Sequence, residues 1–430
     1  MRDDGCELWF KCSIIQRRPP ATAATHTAFP PDCKRTFSRF HAVKGLMLIF
    51  AGLLSAAIAF VTNWLALVPW RQAKGRHWTD RARVYHPVRV AAASNLWVLP
   101  AVLTMTGVLL WPDETPHWAL LVLVTAIGAV AGTIPMDREV FPRIQLDDLL
   151  RQVAVTWLIR FLIWFVFLAA IALMPEVFNA QTLIDAAAVL TLCIFWNRDG
   201  WIRVGRKLGL ILPPPERLQK IVRDTAAKMN VSFREICLVR TSLAQAFAVP
   251  GSRRLLFTER LLQLLSDAEI AAICSHELAH LTERRSDYYK RYLVWLMFLP
   301  WIFFKPVVHE FGLMGFLLLL FTTVSVPFFY RRASHKLETR ADLVAQTNEP
   351  DPGTYARALV RLYEDNLVPA VQAKERATHP HLYDRLLAAS VAPDFPRPAP
   401  AQSMAWHGVL FSGALGLLAM VLLMRLTQHF

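Results

Sequence analysis

His276-Glu277-Leu278-Ala279-His280 sets two imidazoles four residues apart. At that spacing both lie on one face of a helix and can grip one zinc ion, with Glu277 beside the metal as a base. Such a site needs a third protein ligand and an open position for water. Glu338 can supply the ligand. Asp342, four residues on and on the same helical face, is placed to accept the free ring N–H of a ligand His and fix its tautomer. The chemistry these residue types could do is hydrolysis through a metal-activated water, with one Zn2+ per chain.

Ser266-Asp267-Ala268-Glu269 has the spacing of a capping box, so a helix should start there and carry the motif two to three turns in. Ile270, Ile273, Cys274 and Leu281 recur along it at helical intervals, and Asp267, Glu283, Arg284 and Arg285 mark its wet ends. Upstream, Pro213-Pro214-Pro215 opens an amphipathic helix to Met229 through Leu218, Ile221, Val222 and Ala226. The short apolar runs Ile236 to Val239, Ala246 to Val249 and Leu255 to Thr258 follow, the last two joined by Pro250-Gly251-Ser252. These predict a small antiparallel sheet before the metal helix. An edge strand of that sheet could take up an extended peptide as a further strand, or the sheet could merely cover the helix. Residues 331–346 read as another helix, the one that bears Glu338 and Asp342.

The chain has 430 residues, 54% of them hydrophobic, too apolar and too long for one ordinary soluble domain. Uncharged runs long enough to cross hydrocarbon are Gly45 to Val68, Ala91 to Leu110, Trp118 to Ile134, Val153 to Met174 and Trp406 to Met424. Ala180 to Trp196 is a shorter candidate that contains Asp185. Tyr292 to Phe329 is nearly twice the length of one crossing, with Lys305, Pro306, His309, Glu310 and Gly312 near its middle, and reads as a helical hairpin. About eight crossings result. Arg160 and Asp185 are ionisable residues within spans, either functional or simple helix-pairing groups.

The formal charge of +14 could suit nucleic acid, but its distribution follows the positive-inside rule and no nucleic-acid partner is expected. Arg71, Lys74, Arg76, Arg81, Arg83 and Arg89 lie in one loop and Arg138, Arg143 and Arg151 in another. The connections 111–117 and 175–179 hold no Lys or Arg. Both large polar segments, 198–290 and 331–397, should therefore be cytoplasmic. Residues 1–43 are basic, lack periodicity and read as disordered or dispensable, with Met47 an alternative translation start. The six cysteines show no paired spacing and should be reduced thiols.

From about Pro215 to Leu387 the sequence resembles the HtpX and CAAX prenyl protease family of integral membrane zinc endopeptidases, of the gluzincin type. The motifs that carry the resemblance are Ala246-Phe247-Ala248, Leu261-Leu262 with Leu264-Leu265-Ser266, His276 to His280, Glu338-Thr339-Arg340-Ala341-Asp342, and His379-Pro380 followed by Arg385. The resemblance implies zinc on His276, His280 and Glu338, Glu277 as general base, and Asp342 behind the ligands. It also implies that His379 and Arg385 approach the metal and steady substrate or the tetrahedral intermediate. Gln245 stands where the family usually has Asn before Ala-Phe-Ala, which puts in doubt a substrate-backbone contact from that position.

The expected architecture is a mainly α membrane protein of about eight transmembrane helices, with a small α+β zincin-like catalytic domain interrupted by a transmembrane hairpin. Its segments would be 1–43; a membrane domain at 44–200; the two parts of the peptidase at 205–290 and 331–402; the hairpin at 291–330; and a last transmembrane helix at 403–430. The expected function is membrane-embedded peptide hydrolysis of membrane-associated or misfolded proteins, in a bacterial inner membrane with the zinc site cytoplasmic. The partners are a protein or peptide substrate and the lipid bilayer, and the oligomeric state is not encoded in any pattern recognised. Two rivals share some of the features. An intramembrane site-2-type protease needs its motif within a hydrophobic span and a Leu-Asp-Gly segment, which does not occur. A non-catalytic membrane scaffold or transporter would have a vestigial site, whereas here every ligand and the base are intact.

Overall fold

The computed structural model describes residues 31–110, 118–157, 162–283, 299–372, 380–402 and 406–427. The chain divides into two compact units, one of residues 1–61, 95–133 and 410–430, the other of 62–94 and 134–409.

The first unit is built from helical segments. A helix runs Pro31–Ala66, so residues 31–43 are helical where no periodic structure was expected; Pro31 suits a first helical position and no proline follows within the helix. Gly128 and Gly132 let backbones approach: a Cβ at Gly128 would lie 2.1 Å from the Gly52 carbonyl oxygen, and one at Gly132 2.3 Å from that of Ala56. Small residues spaced by four make such a close crossing possible in an apolar medium. Ile58, Ala59, Leu99 and Ala129 fill the contact.

Four helical stretches are long and apolar enough to cross a membrane: Gly45–Gln72, Trp78–Gly107, Leu120–Val140 and Leu299–Thr322. Ala180–Phe195 with Arg198–Lys207, bent by 69°, would make a fifth if counted as one span. The described residues thus hold four or five such stretches. Parts of two expected crossings, at 158–161 and 292–298, fall outside them, as does Arg160. Asp185 accepts a hydrogen bond from Gln181, one turn back on its own helix, at 2.7 Å.

The second unit holds the sheet. Strands β1 (Ile211–Leu212), β2 (Glu235–Val239), β3 (Ala246–Val249) and β4 (Arg254–Thr258) are ordered β1-β2-β4-β3. β3 and β4 form the expected antiparallel hairpin, Phe247 opposite Leu256. The sheet as a whole is mixed rather than antiparallel, because β2 pairs with β4 in parallel, Cys237 opposite Leu256. The chain leaves β2, passes over to lay down β3 on the far side of β4, and returns in the direction it started. β4 is therefore central, and its run Arg254 to Thr258 is buried throughout, as a strand covered on both faces requires.

Two cores cover the sheet. Ile236, Leu255 and Phe257 face one that includes Ile273, Leu278 and Tyr355. Cys237, Val239 and Leu256 face another built on Trp196, Trp201 and Ile202. The metal-motif helix is Asp267–Leu281, and its capping box is formed: Ser266 Oγ accepts from the Glu269 amide, while Glu269 Oε2 accepts from the Ser266 amide at 2.9 Å. A helix Phe304–Asn348 is broken at Gly312 (φ +54°), within the cluster of polar and glycine residues expected to interrupt the hydrophobic run, and it carries Glu338 and Asp342.

Candidate metal centre

The metal-motif helix is buried along almost its whole length, His276, Glu277 and His280 each 7% exposed. The two imidazoles meet edge to face, their Nε2 atoms 3.2 Å apart. Glu338 reaches the same point from its own helix, with Oε2 3.5 Å from His276 Nε2 and Oε1 3.8 Å from His280 Nε2. One ligand atom from each of the three residues lies within 4.8 Å of the others. Two imidazoles and a carboxylate converging on one point form a donor set that suits a small divalent cation and leaves room for a fourth ligand.

Behind His276 is a closed polar network. Tyr355 OH lies 2.8 Å from His276 Nδ1 and donates to Asp342 Oδ1 at 2.7 Å. Arg385 donates through Nε and Nη2 to Asp342 at 2.8 and 2.6 Å, and through Nη2 to the Tyr355 oxygen at 2.7 Å. Asp342 Oδ1 lies 3.1 Å from His276 Nδ1. Arg385 belongs to this network too: its described hydrogen bonds hold Asp342 and Tyr355. His379 lies outside the described residues. Gln245 is exposed at the start of β3, its amide donating to Thr258 Oγ1 at 2.9 Å.

Tyr355 was not among the residues singled out from the sequence. It lies 79 positions from His276, and its apolar neighbours in Thr354–Asp365 mark only a buried face. Glu349 fixes the start of that helix by accepting from the amides of Gly353 and Tyr355 at 2.8 and 2.7 Å. Glu283, placed at a wet helix end by its charge, instead buries its side chain, with Oε1 2.6 Å from His280 Nδ1. Its i+3 spacing from His280 was the available signal.

The field of the site favours a cation. Burial alone would lower the His276 pKa, but Asp342, Glu338 and Glu277 outweigh it and push it up to about 9. Burial likewise works against ionised Asp342, yet hydrogen bonds from His276 and Arg385 hold it below its ordinary value. Among the described residues, four carboxylates with buried side chains, those of Glu277, Glu283, Glu338 and Asp342, lie about the imidazoles, with the guanidinium of Arg385 bonded to Asp342. A divalent ion reduces that imbalance.

Glu277 points the other way from the network, toward the sheet. Its Oε2 accepts from the backbone N–H of Ala248 at 2.7 Å. On β3 the Gln245 carbonyl accepts from the Thr258 amide, so by antiparallel alternation residues 245, 247 and 249 bond to β4. Ala246 and Ala248 then turn their backbone groups to the open edge. Glu277 is tied to the side of the sheet on which a further strand would dock.

Residues 214–391 match the profile of Peptidase family M48. The mitochondrial metalloendopeptidase OMA1 of Arabidopsis thaliana is 25% identical over 166 residues, which make up 39% of this chain and 30% of that relative. The matched segment is thus less than a third of that relative's length.

Proposed function

We propose that this chain is a membrane-bound zinc endopeptidase in which His276, His280 and Glu338 hold the metal and Glu277 is the general base. The observation that carries the reading is the convergence of those three ligands beside a carboxylate bonded to the open sheet edge. When bound, zinc would polarise the scissile carbonyl and bring the pKa of its water toward neutrality. The chain's own residues do the rest. An extended substrate pairs with the backbone groups of Ala246 and the carbonyl of Ala248, the Ala248 N–H being held by Glu277, and is thereby aligned across the metal helix. Glu277 takes a proton from the attacking water and delivers it to the leaving amine. Asp342, held by Arg385, and Tyr355 fix His276, so that the ligand set needs no reorganisation.

In this reading His379, near the site by family resemblance, steadies the substrate, and Arg385 supports it through Asp342. With about eight crossings and the basic residues concentrated in alternate loops, the site would lie on the cytoplasmic side of a bacterial inner membrane. The substrates are membrane-associated or misfolded proteins that can offer an extended segment. The test uses purified full-length protein, its zinc content and its cleavage of casein. Glu277→Gln should retain zinc and lose activity by two to four orders of magnitude, on the order of what a general base contributes. A metal-free, folded and inactive parent would instead indicate a scaffold, and undiminished cleavage by Glu277→Gln would overturn the assignment of the base.

A further inference from the structure

Each imidazole of the cluster meets an oxygen on the side away from the metal position. His276 Nδ1 faces Tyr355 and Asp342. His280 Nδ1 faces Glu283, whose side chain is only 3% exposed although it lies just beyond the end of the helix. Charged residues at such ends ordinarily extend into water, so a buried one needs a specific partner.

The turn that carries Glu283 is itself held in place. Thr282, which ends the metal helix, donates its hydroxyl to the Ala279 carbonyl at 2.7 Å. Arg340 Nη2 donates to the same hydroxyl oxygen at 2.9 Å. Arg340 lies between Glu338 and Asp342, so the helix that supplies the third ligand also pins the turn that presents Glu283.

We propose that Glu283 is a positioning residue of the zinc centre, holding His280 by a direct carboxylate–imidazole hydrogen bond. With Nε2 turned toward His276 and Glu338, the ring proton of His280 resides on Nδ1 and is donated to Glu283 Oε1. That bond fixes the tautomer, stops the ring from rotating out of the ligand plane and makes Nε2 a stronger donor to a metal. His280 is thus anchored by one residue three positions along its own chain segment, whereas His276 is anchored by a network drawn from three other helices.

The proposal rests on reading the cluster as a zinc centre, and the experiment separates the two. Zinc affinity of the purified full-length chain is measured by competition with a chromophoric chelator, and the visible absorption of the cobalt-substituted protein reports ligand geometry. Glu283→Ala should weaken zinc binding about 10- to 100-fold. Glu283→Gln keeps an acceptor without the charge; it should recover part of that loss and shift the cobalt bands at full occupancy. If Glu283→Ala does not fold, the near-isosteric Glu283→Gln decides alone. Zinc affinity within twofold of the parent, with an unchanged cobalt spectrum, overturns the proposal. A parent that takes up no zinc overturns the reading of the cluster itself.

Discussion

Glu277 Oε2 and the backbone N–H of Ala248 are 2.7 Å apart, joining the proposed base to the edge strand of the sheet. Ala248 does not spend this amide on β4, so the contact takes nothing from the ladder. The orientation of the base and that of the docking edge are set together.

Ala248→Pro removes this amide without removing a ladder bond. Loss of a hydrogen bond to a charged group costs about 1.5–3 kcal/mol, roughly a 10- to 100-fold fall in kcat/KM. Zinc content should be unchanged. Steady-state kinetics on a fluorogenic peptide would check it, and parental kcat/KM would show that the contact is irrelevant to turnover.

Tyr355→Phe deletes the hydroxyl shared by His276, Asp342 and Arg385. The variant should lose about 1–3 kcal/mol of stability, because Arg385 and Asp342 each lose a buried partner. Denaturant unfolding of the metal-free protein in detergent measures this apart from any change in metal binding.

Arg385→Ala leaves the Asp342 carboxylate buried without its guanidinium and should cost about 3–5 kcal/mol. Pairing it with Asp342→Asn should cost much less than the sum of the single changes. A double-mutant cycle with no coupling would contradict the network.

Ser266→Ala removes the cap of the metal helix and should cost about 1 kcal/mol. Activity per bound zinc should stay at the parental level, since Ser266 touches no ligand. A thermal melt together with activity normalised to metal content distinguishes the two effects.

Removing the metal with a chelator should abolish cleavage and lower the unfolding temperature, and added zinc should restore both. The experiment reads both quantities on the same sample.

Much of the centre could be read along the chain because its chemistry is local. The i, i+4 spacings of His276 with His280 and Glu338 with Asp342, the capping box at Ser266 and the turn at Pro250-Gly251-Ser252 each act within a few residues. Parallel pairing of β2 with β4 could not be read in that way, since β3 intervenes and no periodicity records which strand lies beside which. β1 was missed because two residues, Ile211 and Leu212, carry no alternation. Glu283 and Tyr355 escaped for opposite reasons. The charge of one suggested water, while the other is brought to His276 only when the helix Thr354–Asp365 packs on the metal helix.

β3 is a wall between two cores. Ala246 and Ala248 pack against one and Phe247 and Val249 against the other, with Phe247 stacked on Trp201 at 6.4 Å between ring centroids. Each of the four is only partly buried, and on the proposed reading an extended guest would be received at this edge chiefly through main-chain groups that every polypeptide possesses. Such an edge would accept many sequences, and a strand already ordered by its two cores would lower the entropic cost of capture. On the proposed reading, selectivity would fall to whether a client can present an unfolded stretch at all.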